Sequence, residues 1–138
     1  MFNIIHTKKA YEEVAKIEKV CFGHLLCEET DDFWLIYEGK SIAGYCANRY
    51  YTNPFVCFMS GCGILPDYRG NGLQKRAIRV REQAAKKLGY NRIVTYTLKD
   101  NIWSANNFIR SGYKLYIPKY FYGSPNSLYF YKEFNDGR

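Results

Sequence analysis

The sequence predicts a mixed α/β fold in which crossover helices pack on one sheet that holds the whole chain. Short strand-like apolar runs alternate with amphipathic helical stretches, and a hairpin signal and glycine turns separate them. At 138 residues, without an internal repeat or low-complexity linker, the chain reads as one domain over 1–138.

Phe2–His6 reads as a short strand. Thr7 is placed to cap a helix from Lys8 to about Cys21, whose buried face carries Ala10, Val14, Ile17 and Cys21. Gly23–Asp32 follows as a loop or short helix holding Glu28, Glu29, Asp31 and Asp32. Phe33–Tyr37 and Ile42–Ala47 form a hairpin around Glu38-Gly39-Lys40. Asn53-Pro54 breaks the chain before a strand over Phe55–Ile64, in which Gly61 and Gly63 mark a bulge or a close approach by backbone or ligand.

Leu73, Ala77, Val80, Ala84 and Leu88 then recur at helical spacing, while Lys75, Arg76, Arg79, Glu82 and Lys86 face elsewhere. This amphipathic helix stops at Gly89. Arg92–Leu98 reads as a strand and Asn101–Arg110 as a shorter helix ended near Gly112. Two strands around Gly123-Ser124-Pro125-Asn126 complete the chain.

Charged residues at 24% and aromatics at 18%, fourteen of them Tyr, argue for a packed protein and against disorder. Met1–His6 lacks the apolar core of a signal peptide and no run is long enough to span a bilayer, so a soluble, cytoplasmic protein without a membrane partner is expected. The five cysteines (Cys21, Cys27, Cys46, Cys57, Cys62) form an odd set without a CxxC pair, which predicts small buried side chains and no metal. Residues 1–64 carry six Lys/Arg against eight Asp/Glu, and residues 65–138 fourteen against five. An anionic partner, nucleic acid or a polyphosphate cofactor, therefore docks on the second half.

The segment Pro66-Asp67-Tyr68-Arg69-Gly70-Asn71-Gly72-Leu73-Gln74 lies between a strand and a helix. Gly70 and Gly72 allow backbone conformations that point successive N–H groups one way, and the free amides of the helix's first turn extend that array into a phosphate cradle. The segment is not a Walker A loop, since no Gly-Lys-Ser/Thr follows, and it lacks the third glycine of a dinucleotide fingerprint.

Arg69-Gly70-Asn71-Gly72-Leu73-Gln74, after Ile64-Leu65-Pro66, resembles the acyl-CoA turn of the GNAT superfamily of N-acetyltransferases, Gln/Arg-x-x-Gly-x-Gly/Ala. Asn101, Ser104, Phe108, Gly112 and Tyr113 resemble that family's second signature, Asn-x-x-Ser followed by an aromatic and Gly-Phe/Tyr. The resemblance covers essentially the whole chain. It implies a mostly antiparallel central sheet, splayed at the cofactor site between the strands at Ile64 and Tyr96 and flanked by about four helices. It also implies an acetyl group moving from acetyl-CoA, as cosubstrate, to a primary amine by direct attack in a ternary complex. The amides from Arg69 through Gln74 would hold the pyrophosphate, and Ile64 and Leu65 would pair with the pantetheine arm. Asn101 and Ser104 would touch that arm from the other side, with Phe108 beside it. Lys75, Arg76 or Arg110 is within reach of the 3′-phosphate, or else a solvated helix charge.

Acyl transfer needs a neutral amine, stabilisation of an oxyanion and a proton for the departing thiolate. The family often supplies that proton from a Tyr where this chain has Phe108, and its base from a Glu where this chain has Ser60, Cys62, Tyr96 and Thr97. Tyr113, Tyr120 and Tyr96 are the candidate acids. Glu28, Glu29, Asp31 and Asp32 lie where the family's acceptor loop falls. Lys119-Tyr120-Phe121-Tyr122-Gly123 is similar to the aromatic strand end of ribosomal-protein N-terminal acetyltransferases, which implies a peptide or protein amine as acceptor. Two other readings stay open: an acyl-CoA-binding domain without catalysis, and a nucleic-acid module in which Tyr50, Tyr51, Tyr116, Tyr120 and Tyr122 interleave with Arg49, Lys114 and Lys119. A homodimer through the sheet edge and exposed aromatics is a further expectation.

Overall fold

The computed structural model describes residues 1–134. Short apolar runs, continuous where β2 and β3 are covered on both faces, build seven strands: β1 (Phe2–Thr7), β2 (Asp32–Glu38), β3 (Ser41–Thr52), β4 (Phe55–Ile64), β5 (Arg92–Leu98), β6 (Lys114–Tyr116) and β7 (Ser127–Glu133). They form one sheet in the order β1-β2-β3-β4-β5-β7-β6. Every neighbouring pair is antiparallel except β4 and β5. Three α-helices occur among the described residues: α1 (Tyr11–Phe22), α2 (Leu73–Lys87) and α3 (Ile102–Arg110). The family resemblance implies about four. The difference is the segment after α1, which stays a loop because its Leu26 and Cys27 amides donate to the Glu18 carboxylate.

Helix α1 also starts later than its pattern suggests. Thr7 pairs with Phe33 at the end of β1, and Ala10 occupies the N-cap without a side-chain cap bond. Strand β3 continues past Ala47 to Thr52, since Arg49–Thr52 pair with Phe55–Phe58 of β4.

Helix α1 covers one face of the sheet, where Val14 and Ile17 pack with Phe33, Leu35, Tyr45 and Ala47. Helix α2 covers the other face, burying Leu73 and Ala77 against Trp34, Ile36 and Cys46. Further along, Ile78 and Ala85 join Phe108 of α3 and Phe130 of β7. The buried stripe of α2 is Leu73, Ala77, Ile78, Arg81 and Ala85, rotated from the expected one, so that Leu88 is exposed. One consequence is chemical: each of two helices buries an ionisable side chain. Glu18 follows Val14 and Arg81 follows Ala77 one turn on, and both are fully buried.

A site arises at the parallel pair. β4 and β5 meet only at Cys57↔Ile93 and Phe58↔Val94, with Thr95 Oγ1 donating to Met59 O (3.1 Å) just beyond. β4 then continues to Ile64 and β5 to Leu98 without a further pair between them, so the sheet is splayed. A bulge leaves Ser60 unpaired, because Ala47 faces Gly61 while Asn48 faces Met59.

Phe130 is fully buried and packs against Phe108 with ring centroids 5.4 Å apart. Phe130→Ala is expected to cost about 3–5 kcal/mol, from lost burial and the cavity left behind. Urea unfolding of both proteins measures it, and a loss well under about 1 kcal/mol would contradict this packing.

Candidate active site

Pro66 ends the β4 ladder and starts one turn of 3-10 helix, in which Tyr68 N–H donates to Leu65 O (2.9 Å) and Arg69 N–H to Pro66 O (3.3 Å). Asn71 Nδ2 holds Tyr68 O at 2.8 Å. Gly70 and Gly72 then take φ of +84° and +71°, a region L side chains rarely adopt. Helix α2 therefore begins without a side-chain cap, and the amides of Gly70 through Lys75 have no acceptor among the described residues. This run of unengaged donors at a helix N-terminus, with exposed Lys75 beside it, fits a diphosphate.

Leu65 N–H donates to Ala43 O at 2.8 Å, which engages it with β3 and removes it from the expected cofactor contacts. The alternation of an antiparallel ladder then turns the N–H and C=O of Ile64 away from β3, toward the gap beside β5. Ile64 O accepts from Arg69 Nε (2.9 Å) and from the Cys21 thiol (3.5 Å). The other wall of the turn is α3. Gln74 Nε2 donates to Ser104 Oγ (2.7 Å) and Gln74 Oε1 accepts from Asn107 Nδ2 (2.9 Å), clasping the start of α2 to α3. Asn101 is the α3 cap, its Oδ1 accepting from Ser104 N–H at 3.1 Å, a structural use of the side chain expected to meet the cofactor. Phe108 is buried among Tyr113 and Phe130, and does not line the gap as expected.

The three candidate tyrosines are placed differently. Tyr113 is only 3% exposed, edge-on to Phe108, with its hydroxyl turned to Met59 Sδ at 3.8 Å; burial raises its pKa and its position corrects the reading of it as an acid. Tyr120 stands exposed on the loop after β6. Tyr96 lies on β5 just past the last β4–β5 pair, stacked on Phe58 (6.0 Å) and edge-on to Tyr122 (6.0 Å). Burial raises its pKa, so it is a proton donor rather than a base at neutral pH. The loop backbone covers this ring closely, since a Cβ at Gly123 would lie 2.7 Å from it.

The acidic cluster divides. Asp31 is buried, accepting from Arg49 Nε (2.7 Å) and Nη2 (3.0 Å), and is thereby neutralised. Asp32 accepts from the Tyr50 hydroxyl (2.6 Å) and pairs with His6. It shares the Trp34 and Ile36 side of β2, opposite the face that α1 covers. Glu28, near Arg49 at 3.3 Å, and Glu29 remain exposed on the loop after α1. Sequence reasoning missed Glu18, whose carboxylate accepts from the Tyr45 hydroxyl (2.5 Å) and from the Leu26 and Cys27 amides. Its position one turn from Val14, inside the apolar stripe, was the available signal.

Part of the tyrosine and basic set of the nucleic-acid reading is engaged within the fold, while Tyr51, Tyr120, Lys114 and Lys119 stay exposed. Arg49 is bound by Asp31, Tyr50 by Asp32, and Tyr116 and Tyr122 by each other at 2.6 Å. No group of three or more His, Cys, Asp or Glu side chains among the described residues is arranged to hold a metal. No helix among them is long and apolar enough to cross a membrane.

A sequence search of curated proteins finds no match. Solved structures share the fold at low identity. The ribosomal-protein-S18-alanine N-acetyltransferase from Escherichia coli is 11% identical with a TM-score of 0.78, over 96% of this chain and 94% of that one. A Bacillus subtilis acetyltransferase in complex with CoA is 13% identical with a TM-score of 0.78, over 98% and 100%. A GNAT-family acetyltransferase from Staphylococcus aureus Mu50 is 15% identical with a TM-score of 0.77, over 96% and 99%. The sequence model of the acetyltransferase (GNAT) family matches residues 3–113, a span that takes in the splayed strands, the glycine turn and all three helices. The chain belongs to the acetyltransferase (GNAT) family.

Proposed function

We propose that the protein is an N-acyltransferase that moves an acetyl group from acetyl-CoA to a primary amine by direct attack in a ternary complex. The observation that carries this reading is the run of unengaged amides from Gly70 through Lys75 at the open end of the β4–β5 gap. These amides would bind the pyrophosphate, with the helix N-terminus adding favourable charge. Along the gap, the Ile64 N–H would donate to the thioester carbonyl and stabilise the oxyanion as the amine adds. Tyr96, protonated at the gap's edge, would give its proton to the departing thiolate, and the proton shed by the acylated nitrogen would pass through water to restore the Tyr96 hydroxyl.

No carboxylate of β4 or β5 is available as a base, which favours an acceptor that needs little deprotonation. An α-amine with pKa about 8 is a modest fraction neutral at pH 7, whereas a Lys amine near 10.4 is neutral only about once in several thousand. A peptide or protein N-terminus is therefore the preferred acceptor class. The shared fold with the E. coli S18-alanine N-acetyltransferase supports the same choice. Exposed Glu28 and Glu29 would attract such an amine.

Titration with acetyl-CoA should show saturable binding to the wild type and a loss of at least about tenfold for Gly72→Asp, which adds both a side chain at positive φ and a negative charge beside the phosphates. Equal binding by both would place the cofactor elsewhere. CoA release with a panel of N-terminal peptides and lysine-containing, N-blocked peptides tests the acceptor, with faster turnover expected for free N-termini. Tyr96→Phe should lower kcat by about a hundredfold with a small change in KM. An unchanged kcat would remove Tyr96 from the mechanism.

A further inference from the structure

Arg81 is an unusual residue to find inside this fold. Helix α2 runs back along the sheet from the glycine turn, and the rise from Leu73 to Arg81 is about 12 Å. That brings the guanidinium to the β4 bulge. Nη1 donates to Gly61 O at 3.2 Å and Nε to Ala77 O at 3.1 Å. The side chain is 1% exposed, and its Nη2 has no hydrogen-bond partner. No carboxylate among the described residues pairs with it. The titratable groups acting on it are Cys62, Cys46, Tyr113 and Tyr45, each raised by burial and hence uncharged.

A buried cation without a counter-charge costs several kcal/mol, which an anion reaching it would recover in part. Two more buried polar atoms without partners, Asn48 Oδ1 and Ser60 Oγ, belong to the same bulge. Asn48 Nδ2 donates to Arg81 O at 3.1 Å, which ties that strand to the helix at this point. The orphaned groups thus gather where β4 and β5 begin to separate, inward along β4 from the glycine turn.

We propose that Arg81 makes the protein recognise acyl-CoA donors whose acyl group ends in a carboxylate, of succinyl length, over neutral acyl groups of the same size. This rests on the reading of the gap as the acyl-CoA site. With the thioester carbonyl on the Ile64 amide, Gly61 lies three residues back along β4, about 10 Å away. From thioester carbon to far carboxylate oxygen a four-carbon diacid spans about 5 Å and a hydrogen bond extends this to about 8 Å, and Nη1, which stands 3.2 Å from Gly61 O, closes the remainder. Nη1 then exchanges the neutral Gly61 carbonyl for a charged acceptor, and Nη2 gains a partner, both as stronger charge-assisted bonds. The Ser60 hydroxyl is a further donor on the same bulge. A butyryl chain, equal in length, leaves a methyl group against the cation.

Isothermal calorimetry with acetyl-, butyryl- and succinyl-CoA tests this on the wild type and on Arg81→Met, whose unbranched side chain keeps the packing. The wild type should bind succinyl-CoA about tenfold or more tighter than butyryl-CoA, and Arg81→Met should bind the two alike. Circular dichroism checks that the variant folds; if it does not, Arg81→Lys, which keeps the charge, should retain the preference. Equal binding of the two donors by the wild type would overturn the inference and leave the acyl-CoA reading intact. A preference that persists in Arg81→Met would overturn the role of Arg81. Failure to bind any of the three would defeat the acyl-CoA reading, and this inference with it.

Discussion

The brevity of the β4–β5 pairing organises this molecule. Parallel neighbours joined through a helix have every opportunity to pair along their full length, yet here the ladder closes after Phe58 and Val94. Ser60 adds a residue to β4 and bends it, and Thr95 seals Met59 O from the side. Beyond that point the edge of β4 turns its Ile64 amide toward the gap, while the Ile64 carbonyl is held by Arg69 and Cys21. The glycine turn lies at the mouth of the same opening, so the donors proposed for the phosphates and for the acyl group come from one continuous stretch of chain.

The surrounding contacts keep that opening in shape. Gln74 joins the first turn of α2 to Ser104 and Asn107 of α3. On the opposite face, Glu18 fixes the loop after α1 through two amides and braces Tyr45 beneath Gly61. Glycine at 61 is a packing requirement there, since a Cβ would lie 2.5 Å from the Tyr45 hydroxyl. The aromatic set of Phe58, Tyr96, Tyr122 and Tyr129 fills the stretch of sheet that α1 leaves uncovered.

Much of this was legible in the sequence because it depends on local rules. The glycine turn, the helix that follows and the hairpin are set by residues near one another, and each was recognisable from spacing alone. The errors fall where distant residues decide. Thr7 reads as a cap until Phe33 claims it for the sheet, and Asp31 reads as a free acid until Arg49 is brought beside it. Asn101 and Phe108 match a family signature in type, yet one is spent on capping and the other on the core. Glu18 and Arg81 sat in plain view on apolar stripes, and amphipathic reading, which sorts charged residues outward, passed over both.

Those two side chains lie on opposite faces of the sheet, Glu18 under α1 and Arg81 under α2; Arg81 donates to Gly61 O, while Glu18 holds the Tyr45 hydroxyl that stands beside Gly61. Solvent reaches neither side chain, so the hydrogen bonds they make are screened by salt far less than those of charges on the outer surface. The strand at the centre of the molecule is therefore flanked by a buried hydrogen-bond acceptor on its α1 side and by a buried donor with a free N–H on its α2 side.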